Sequence, residues 1–464
     1  MKLTLLGGGG FRVPLVYKAL LADDADERVT ELRLHDVDPA RLDVMRRVLD
    51  ELGQGRDWAP KVVATPHLDE ALAGTDFVFS AIRVGGTRGR ALDEQIALSH
   101  GVIGQETVGP GGISYALRGI PAVMGIVEQL RRHAPDAWVI NFTNPAGIIT
   151  ETMQRFLGDK VIGICDSPVG LARRILTTLQ GAGLVDAGVP TSALATDRVR
   201  IDYAGLNHLG WLRGLRVDGD DVLPLLLERP DLIESFEEGR LFGADLVRAL
   251  SCVPNEYLHY YYYARETLRA DCDADATRGV FLAEQQRRFY TAAGRCEHDV
   301  SELWERTRLE REETYMASNR EVAGDFDRDA SDLETGGYDK VALAIMHAIA
   351  NDVPANLILN VANRGTLPEL DDEAVVEVPC RVDGSGPRIL EGASLPDHGR
   401  GVVVQAKYVE RATIRAALEA SRTDALLALA HHPLIDSVHV ARELLDELVE
   451  RFDELDYLRG DRDA

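Results

Sequence analysis

The chain has 464 residues, 45% of them apolar and 27% charged, the balance of a globular protein with room for two large domains. Its 51 basic and 76 acidic side chains leave a net charge of −25, which argues against nucleic acid or an anionic membrane as partner; an anionic small substrate would need a local arginine site. Five cysteines without a CxxC pair, no apolar run of membrane-spanning length and a start unlike a secretion signal predict a reducing, cytoplasmic setting.

The first half alternates strand and helix. "KLTLL" (2–6) reads as a short buried strand closed by the glycine run Gly7, Gly8, Gly9 and Gly10, and a helix follows from Phe11 and Arg12 onward. "ELRLHD" is a second strand ending at Asp36, and the next helix opens with Asp38 as cap and Pro39 at its first position, then stops at Gly53. "KVVATP" and "DFVFSAIR" are further strands. A glycine-rich insert (101–112) precedes a long helix, and then "AWVINFTNP" and "KVIGIC" are two more strands, each followed by a helix. This rhythm predicts a parallel Rossmann-like sheet with helices on both faces.

Near 190 the pattern changes. Residues 198–224 read as strands turning at Asp218-Gly219, helical stretches are expected near 240–265, 279–322, 338–351 and 411–457, and strands near 355–405. The expected class is therefore α/β, in a lactate/malate dehydrogenase-like architecture. A nucleotide-binding domain would span 1–190 and a C-terminal α+β domain 191–464.

Three signals carry chemistry. The glycine run sits between strand and helix, where backbone amides and the helix N-terminus can hold a pyrophosphate. The usual G-x-G-x-x-G is incomplete, because Arg12 stands at its third glycine position. Asp36 could bind a ribose 2′-hydroxyl and would repel the phosphate of NADP. The bland alternative is a tight turn with a helix cap.

Second, "KVIGIC" and "VINFTN" would deliver Cys165 and Asn144 to the carboxyl edge of the sheet, with Asp166 alongside. A lone cysteine there is as readily a small core residue. His208, in "GLNHLGWL", could meet it across an interdomain cleft and make half a metal site, with substrate oxygens and water completing it. Third, "PNEYLHYYYY" would set Tyr257, Tyr260 and Tyr261 on one helix face. Core packing is the plain reading for most of them, and a phenol beside a cation could serve as a proton acceptor.

Together, "LGGGGFRVPLV", "RVGGTRGRALDE", "GVIGQETVGPGGISYALRGIP", "INFTNPAG", "GICDSPVG", "GLNHLGWL", "PNEYLHYYY" and "VANRGTLPELDDEAVVEVP" resemble glycoside hydrolase family 4, the NAD- and metal-dependent glycosidases. The resemblance implies NAD and a divalent metal, most often manganese, held by Cys165 and His208. It implies Asp166 as proton donor, Tyr257 as base and Glu106 as the acid supporting that base. Arg90, Asn144 and Arg278 resemble substrate-contacting positions. The implied reaction is hydrolysis of a 6-phosphorylated glucoside by transient oxidation at C3, loss of the C2 proton, elimination and addition of water. Of its branches the chain looks most like the 6-phospho-β-glucosidases; 6-phospho-α-glucosidase or unphosphorylated α-glycosidase activity is the alternative within the family. From another class, a lactate/malate-type NAD-dependent dehydrogenase shares the expected architecture. A homodimer or homotetramer is expected.

Overall fold

The computed structural model describes residues 1–190, 198–324, 326 and 337–459. The expected domain boundary at 190/191 adjoins residues 191–197, which lie outside the described residues. Six parallel strands form the first half: β1 (Lys2–Leu6), β2 (Glu31–His35), β3 (Lys61–Thr65), β4 (Phe77–Ser80), β5 (Trp138–Asn141) and β6 (Val161–Gly163). Their order is β3-β2-β1-β4-β5-β6, so the chain reverses direction of progress between β1 and β4. In such a sheet a ligand sits at that reversal, beyond the carboxyl ends of the strands.

Local chemistry explains these elements. Leu3, Leu5, Phe77 and Phe79 are buried, as apolar runs in a sheet covered on both faces must be. The helix Pro39–Gly53 starts where Asp38 accepts the amides of Ala40 (3.0 Å) and Arg41 (3.1 Å).

The sheet does not end at β6. It continues antiparallel through β11 (Ala355–Ala362), β12 (Val375–Asp383), β7 (Val199–Leu206), β8 (Leu209–Val217) and β10 (Val253–Pro254), with β9 (Asp220–Asp221) on β8 and β13 (Gly386–Ile389) on β12. One row of paired residues crosses the seam: Gly163, Asn360, Glu377 and Gly205.

Several expected elements differ in extent. The helical stretch at 240–265 is four short helices interrupted by β10 and by a single turn at Glu256–Leu258. The stretch at 279–322 is Arg278–Ala293, Val300–Glu313 and Ala317–Val322, and the strand region ends before the helix Arg400–Glu419. The expected turn at Asp218-Gly219 joins β8 to β9, while β7 and β8 are joined at Asn207-His208, a tight turn that no Gly, Asn-Gly or Asp-Gly pair announces. Among the described residues no helix is long and apolar enough to cross a membrane.

The C-terminal half grips the glycine loop. Tyr290, Trp304 and Tyr338 donate to the carbonyls of Gly9 (2.6 Å), Phe11 (2.8 Å) and Arg12 (3.2 Å). Away from the loop, Lys407 on the helix Arg400–Glu419 is buried, donating to Glu151 (3.0 Å) and to the Val375 carbonyl (2.8 Å), while Arg411 binds the same carboxylate at 2.8 Å. Burial alone would raise the Glu151 pKa, but Lys407 and Arg411 outweigh it and hold it down at about 2.

Glu151→Gln leaves the Lys407 ammonium with less compensation and should cost about 3 kcal/mol in denaturant unfolding. The stability contributed by ionised Glu151 is complete above its ordinary pKa of 4.5 and is lost as pH falls towards about 2. The variant should therefore lose less stability than the wild type across that acid window; equal slopes would refute the assignment.

Candidate active site

A cavity of about 1470 Å³ runs from the β1/β4 reversal to the β7–β8 turn. It is lined by Gly7, Gly10, Phe11, Arg12 and Asp36 at one end, and by Cys165, Asp166, His208 and Tyr257 at the other. Arg90, Glu106, Asn144 and Arg278 line the wall between. Gly8 and Gly9 do not reach it.

The glycine run has a different task from the one expected of it. All four of its amides are used inside the protein: Gly7 and Gly8 donate to the His35 carbonyl, Gly9 to Asp36 at 2.9 Å and Gly10 to the Gly7 carbonyl. Among the described residues no acceptor meets the amides of Phe11 and Arg12, so these are the donors left for a pyrophosphate at the start of the helix Val13–Leu21. Glycine is required for closeness. Gly7 has φ +84°, and a Cβ there would lie 2.5 Å from the Ala81 carbonyl oxygen. Asp36 is fixed by the Gly9 and Asp38 amides, its carboxylate at the cavity edge.

At the other end, Cys165 follows β6 by two residues and leads into the helix Ser167–Gly181. Burial above all, then the charges of Glu377 and Asp166, pushes its thiol well above the ordinary value. A thiolate there needs a cation. His208 is held by its turn at φ +65° and stacks on Tyr257, ring centroids 3.7 Å apart. Its neighbour Asn207 donates to Glu377, which also receives Asn360 and Tyr203; burial lifts that carboxyl to about 7.

Hydrogen bonds fix the His208 tautomer. The Gln105 side-chain oxygen accepts the amides of Thr107 (2.5 Å) and Val108 (2.9 Å) and receives the Thr107 hydroxyl at 3.0 Å. The Thr107 oxygen, 2.9 Å from His208 Nδ1, must then accept from that nitrogen. Nε2 is left with its lone pair, and burial holds the ring neutral by lowering its pKa to about 3. Among the described residues no cluster of three or more His, Cys, Asp or Glu could hold a metal. The donor set is one thiol and one imidazole, which fits a catalytic ion that keeps open positions for substrate. Asn144 adds a buried side-chain oxygen with no hydrogen-bond partner among the described residues.

Tyr257 lies in the turn before the helix His259–Tyr262, not on that helix, yet it packs in one cluster with Tyr260 and Tyr261, its ring centroid 6.4 Å from that of Tyr260. Burial, followed by the charges of Glu256 and Cys165, holds its phenol well above the ordinary value. Its hydroxyl neighbours that of Tyr315 at 3.1 Å. Among the described residues Glu106 makes no hydrogen bond to Tyr257; it is clamped by Arg83 and by Arg90 (2.7 Å), which keep it ionised despite burial. Arg90 is shared with Glu94 at 2.8 Å.

The remaining arginines are under-compensated. Among the described residues Arg278 bonds only the Thr314 hydroxyl and the Arg311 carbonyl, and burial with Arg90 nearby lowers its pKa to about 10. Arg311 has no hydrogen-bond partner among the described residues; burial, then Arg12, Arg278 and Arg90, brings it down to about 9. This is the local arginine site that an anionic ligand of so acidic a chain requires. Reading the residues alone does not find Arg311 or Tyr315, which no quoted stretch contains, and it assigns no role to Gln105, Thr107 or Glu256, although they lie in stretches quoted for their neighbours.

The model of family 4 glycosyl hydrolases matches residues 2–180, and that of the family's C-terminal domain matches residues 203–435. Two relatives from Bacillus subtilis, a probable 6-phospho-beta-glucosidase and a maltose-6′-phosphate glucosidase, are each 30% identical over 97% of this chain and over 96% and 95% of their own lengths. The 6-phospho-beta-glucosidase from Thermotoga maritima, solved with manganese, NAD⁺ and glucose-6-phosphate, superimposes with TM-score 0.79 at 26% identity, covering 98% of this chain and 99% of that one. A malate dehydrogenase from Plasmodium falciparum shares the fold alone, at 13% identity and TM-score 0.50 over 90% of this chain and 99% of that one. Fold and sequence together define a glycoside hydrolase on a dehydrogenase-like sheet. The chain belongs to glycosyl hydrolase family 4, and the dehydrogenase alternative is set aside.

Thr107→Val removes the acceptor that orients the imidazole. It should lower Mn²⁺ affinity about 10- to 100-fold, measured by titrating the paramagnetic resonance of free Mn²⁺. Unchanged affinity would refute the tautomer argument.

Proposed function

We propose that this chain hydrolyses 6-phosphorylated β-glucosides, using NAD and a divalent ion, with manganese as the ion. The observation that carries the reading is one cavity lined by Cys165, Asp166, His208 and Tyr257, with His208 Nδ1 engaged by Thr107. Support comes also from the Thermotoga maritima structure with manganese, NAD⁺ and glucose-6-phosphate.

When bound, NAD⁺ supplies a reversible hydride acceptor for C3 of the sugar, and the ion supplies positive charge for oxygens on C2 and C3. The protein does the rest. The Phe11 and Arg12 amides hold the pyrophosphate, and Asp36 takes a ribose hydroxyl. Cys165 and His208 hold the ion, and the Asn144 side-chain oxygen accepts a sugar hydroxyl. Tyr257 removes the proton at C2, made acidic by the neighbouring ketone, while Asp166 protonates the oxygen leaving C1. Arg278 and Arg311 receive the 6-phosphate, which relieves their mutual repulsion. Arg83 and Arg90 hold Glu106 as a fixed negative charge on the Tyr257 side of the cavity.

A second reading, the α-anomer, is supported by the maltose-6′-phosphate glucosidase relative and by the acid directly after Cys165.

A panel of α- and β-glucosides with and without 6-phosphate, supplied with NAD⁺ and Mn²⁺ in deuterated water, tests the reading. Turnover of a 6-phospho-β-glucoside with deuterium appearing at C2, and none after chelation, is expected. Turnover with C2 unlabelled would sink the mechanism. Arg311→Gln should raise KM for the phosphorylated substrate about 10- to 100-fold while leaving any turnover of the unphosphorylated one unchanged. Equal effects on both would place Arg311 elsewhere in the chemistry.

A further inference from the structure

We infer that Glu256 is the proton store of this site, loaded from Tyr257 through the hydroxyl of Tyr315. The inference rests on the proposed role of Tyr257 as base and deepens it.

The connection is a short chain of hydroxyls. Tyr315 places its single hydroxyl proton within donating distance of the Tyr257 oxygen (3.1 Å) and of Glu256 Oε1 (2.9 Å). While Tyr315 gives that proton to the carboxylate, its oxygen accepts from Tyr257. Ser167, two residues after the thiol, donates to the same Oε1 at 3.0 Å. Glu256 thus touches both flanks of the reacting centre: the base on one side and the Asp166-Ser167 turn on the other.

Glu256 is not simply the partner of an arginine. Arg174, from the helix Ser167–Gly181, grips Glu238 with both ends of its guanidinium, one of them at 2.8 Å, and reaches Glu256 Oε2 only at 3.5 Å. The groups facing Glu256 are Arg174, Glu237 and Glu238 from the helix Glu237–Phe242, Tyr315 after the helix Val300–Glu313, and Ser167. Burial, partly offset by Arg174 and reinforced by Glu238 and Glu237, raises the carboxyl above the ordinary carboxylate range. A carboxyl raised in this way holds a proton more readily than an ordinary carboxylate does.

The transfer balances. The C2–H bond breaks and its electron pair stays in the sugar as the C2–C3 enediolate. The proton goes to the Tyr257 oxygen as the Tyr257 hydroxyl proton moves to Tyr315 and the Tyr315 proton moves to Glu256. Both phenols end neutral and Glu256 ends as a carboxylic acid. The sequence runs backwards when C2 is reprotonated. A buried tyrosine, whose ordinary pKa is about 10, can then act as a base without a standing phenolate. Glu256 and Tyr315 also line the cavity, and in this role they are positioning residues acting through Tyr257.

The test uses the full chain with NAD⁺, Mn²⁺ and a glucoside 6-phosphate. E256Q and Y315F should each lower kcat about 100-fold with KM within about twofold, and the double variant should be no worse than either. In both, C2 deuterium exchange should fall with kcat while the single-turnover burst of NADH persists, because oxidation at C3 does not use the relay. Near-normal kcat and exchange in either variant, or loss of the burst in step with kcat, overturns the inference. A carboxyl C=O infrared band titrating near neutral pH in the wild type and missing in E256Q is expected without any substrate; its absence from the wild type overturns the inference as well. Failure of the wild type to turn over any glucoside 6-phosphate would instead count against the proposed function, and the infrared measurement still decides the relay.

Discussion

The site depends on one buried carboxylate at the seam of the sheet. Glu377 sits between the parallel and antiparallel halves, in register with Asn360 and Gly205, and takes hydrogen bonds from Tyr203, Asn207 and Asn360. Asn207 is the residue before His208, and Asn360 pairs with Gly163, two residues before Cys165. The two groups expected to hold a metal come from opposite sides of this seam. Three donors from both sides of the seam converge on this one carboxylate, and that shared anchor restricts their relative geometry.

Charge organises the rest. The surface is strongly acidic, yet the cavity wall carries Arg12, Arg83, Arg90, Arg278 and Arg311. Arg83 and Arg90 are matched by Glu106 and Glu94, whereas Arg278 and Arg311 meet only neutral oxygens or none among the described residues. The unmatched pair costs folding free energy in the empty state and gains most from a phosphate, so stability is given up locally for recognition. The aromatic grip on the glycine loop has a related logic. Tyr290, Trp304 and Tyr338 bond its Gly9, Phe11 and Arg12 carbonyls, and among the described residues no acceptor meets the Phe11 and Arg12 amides.

Much of the fold is legible in the chain. Apolar strands, capped helices and their alternation give the parallel sheet, because burial on both faces demands continuous apolar runs and caps mark helix ends locally. The hairpin at Asn207-His208 is not legible, since its turn carries a histidine at positive φ that tertiary hydrogen bonds hold in place. The glycine run marks a nucleotide loop, but its own amides are consumed in shaping that loop. Tyr257 stands out as the head of a tyrosine cluster that packs together as the spacing suggests, although it sits in the turn at Glu256–Leu258 and not in the helix that follows.

What the sequence determined by itself is the class: the α/β alternation, the loop after the first strand and the quoted stretches that resemble family 4 are all properties of neighbours along the chain. What only the tertiary structure decided is which groups meet. Thr107 orients His208 across 101 residues, and Tyr315 reaches Tyr257 across 58. The Arg311 guanidinium finds no hydrogen-bond partner among the described residues, and burial with Arg12, Arg278 and Arg90 nearby outweighs the charge of Glu312. Such pairings carry no local signature, because hydrogen bonds and charge act over ångströms of space, and folding alone brings residues distant in the chain that close.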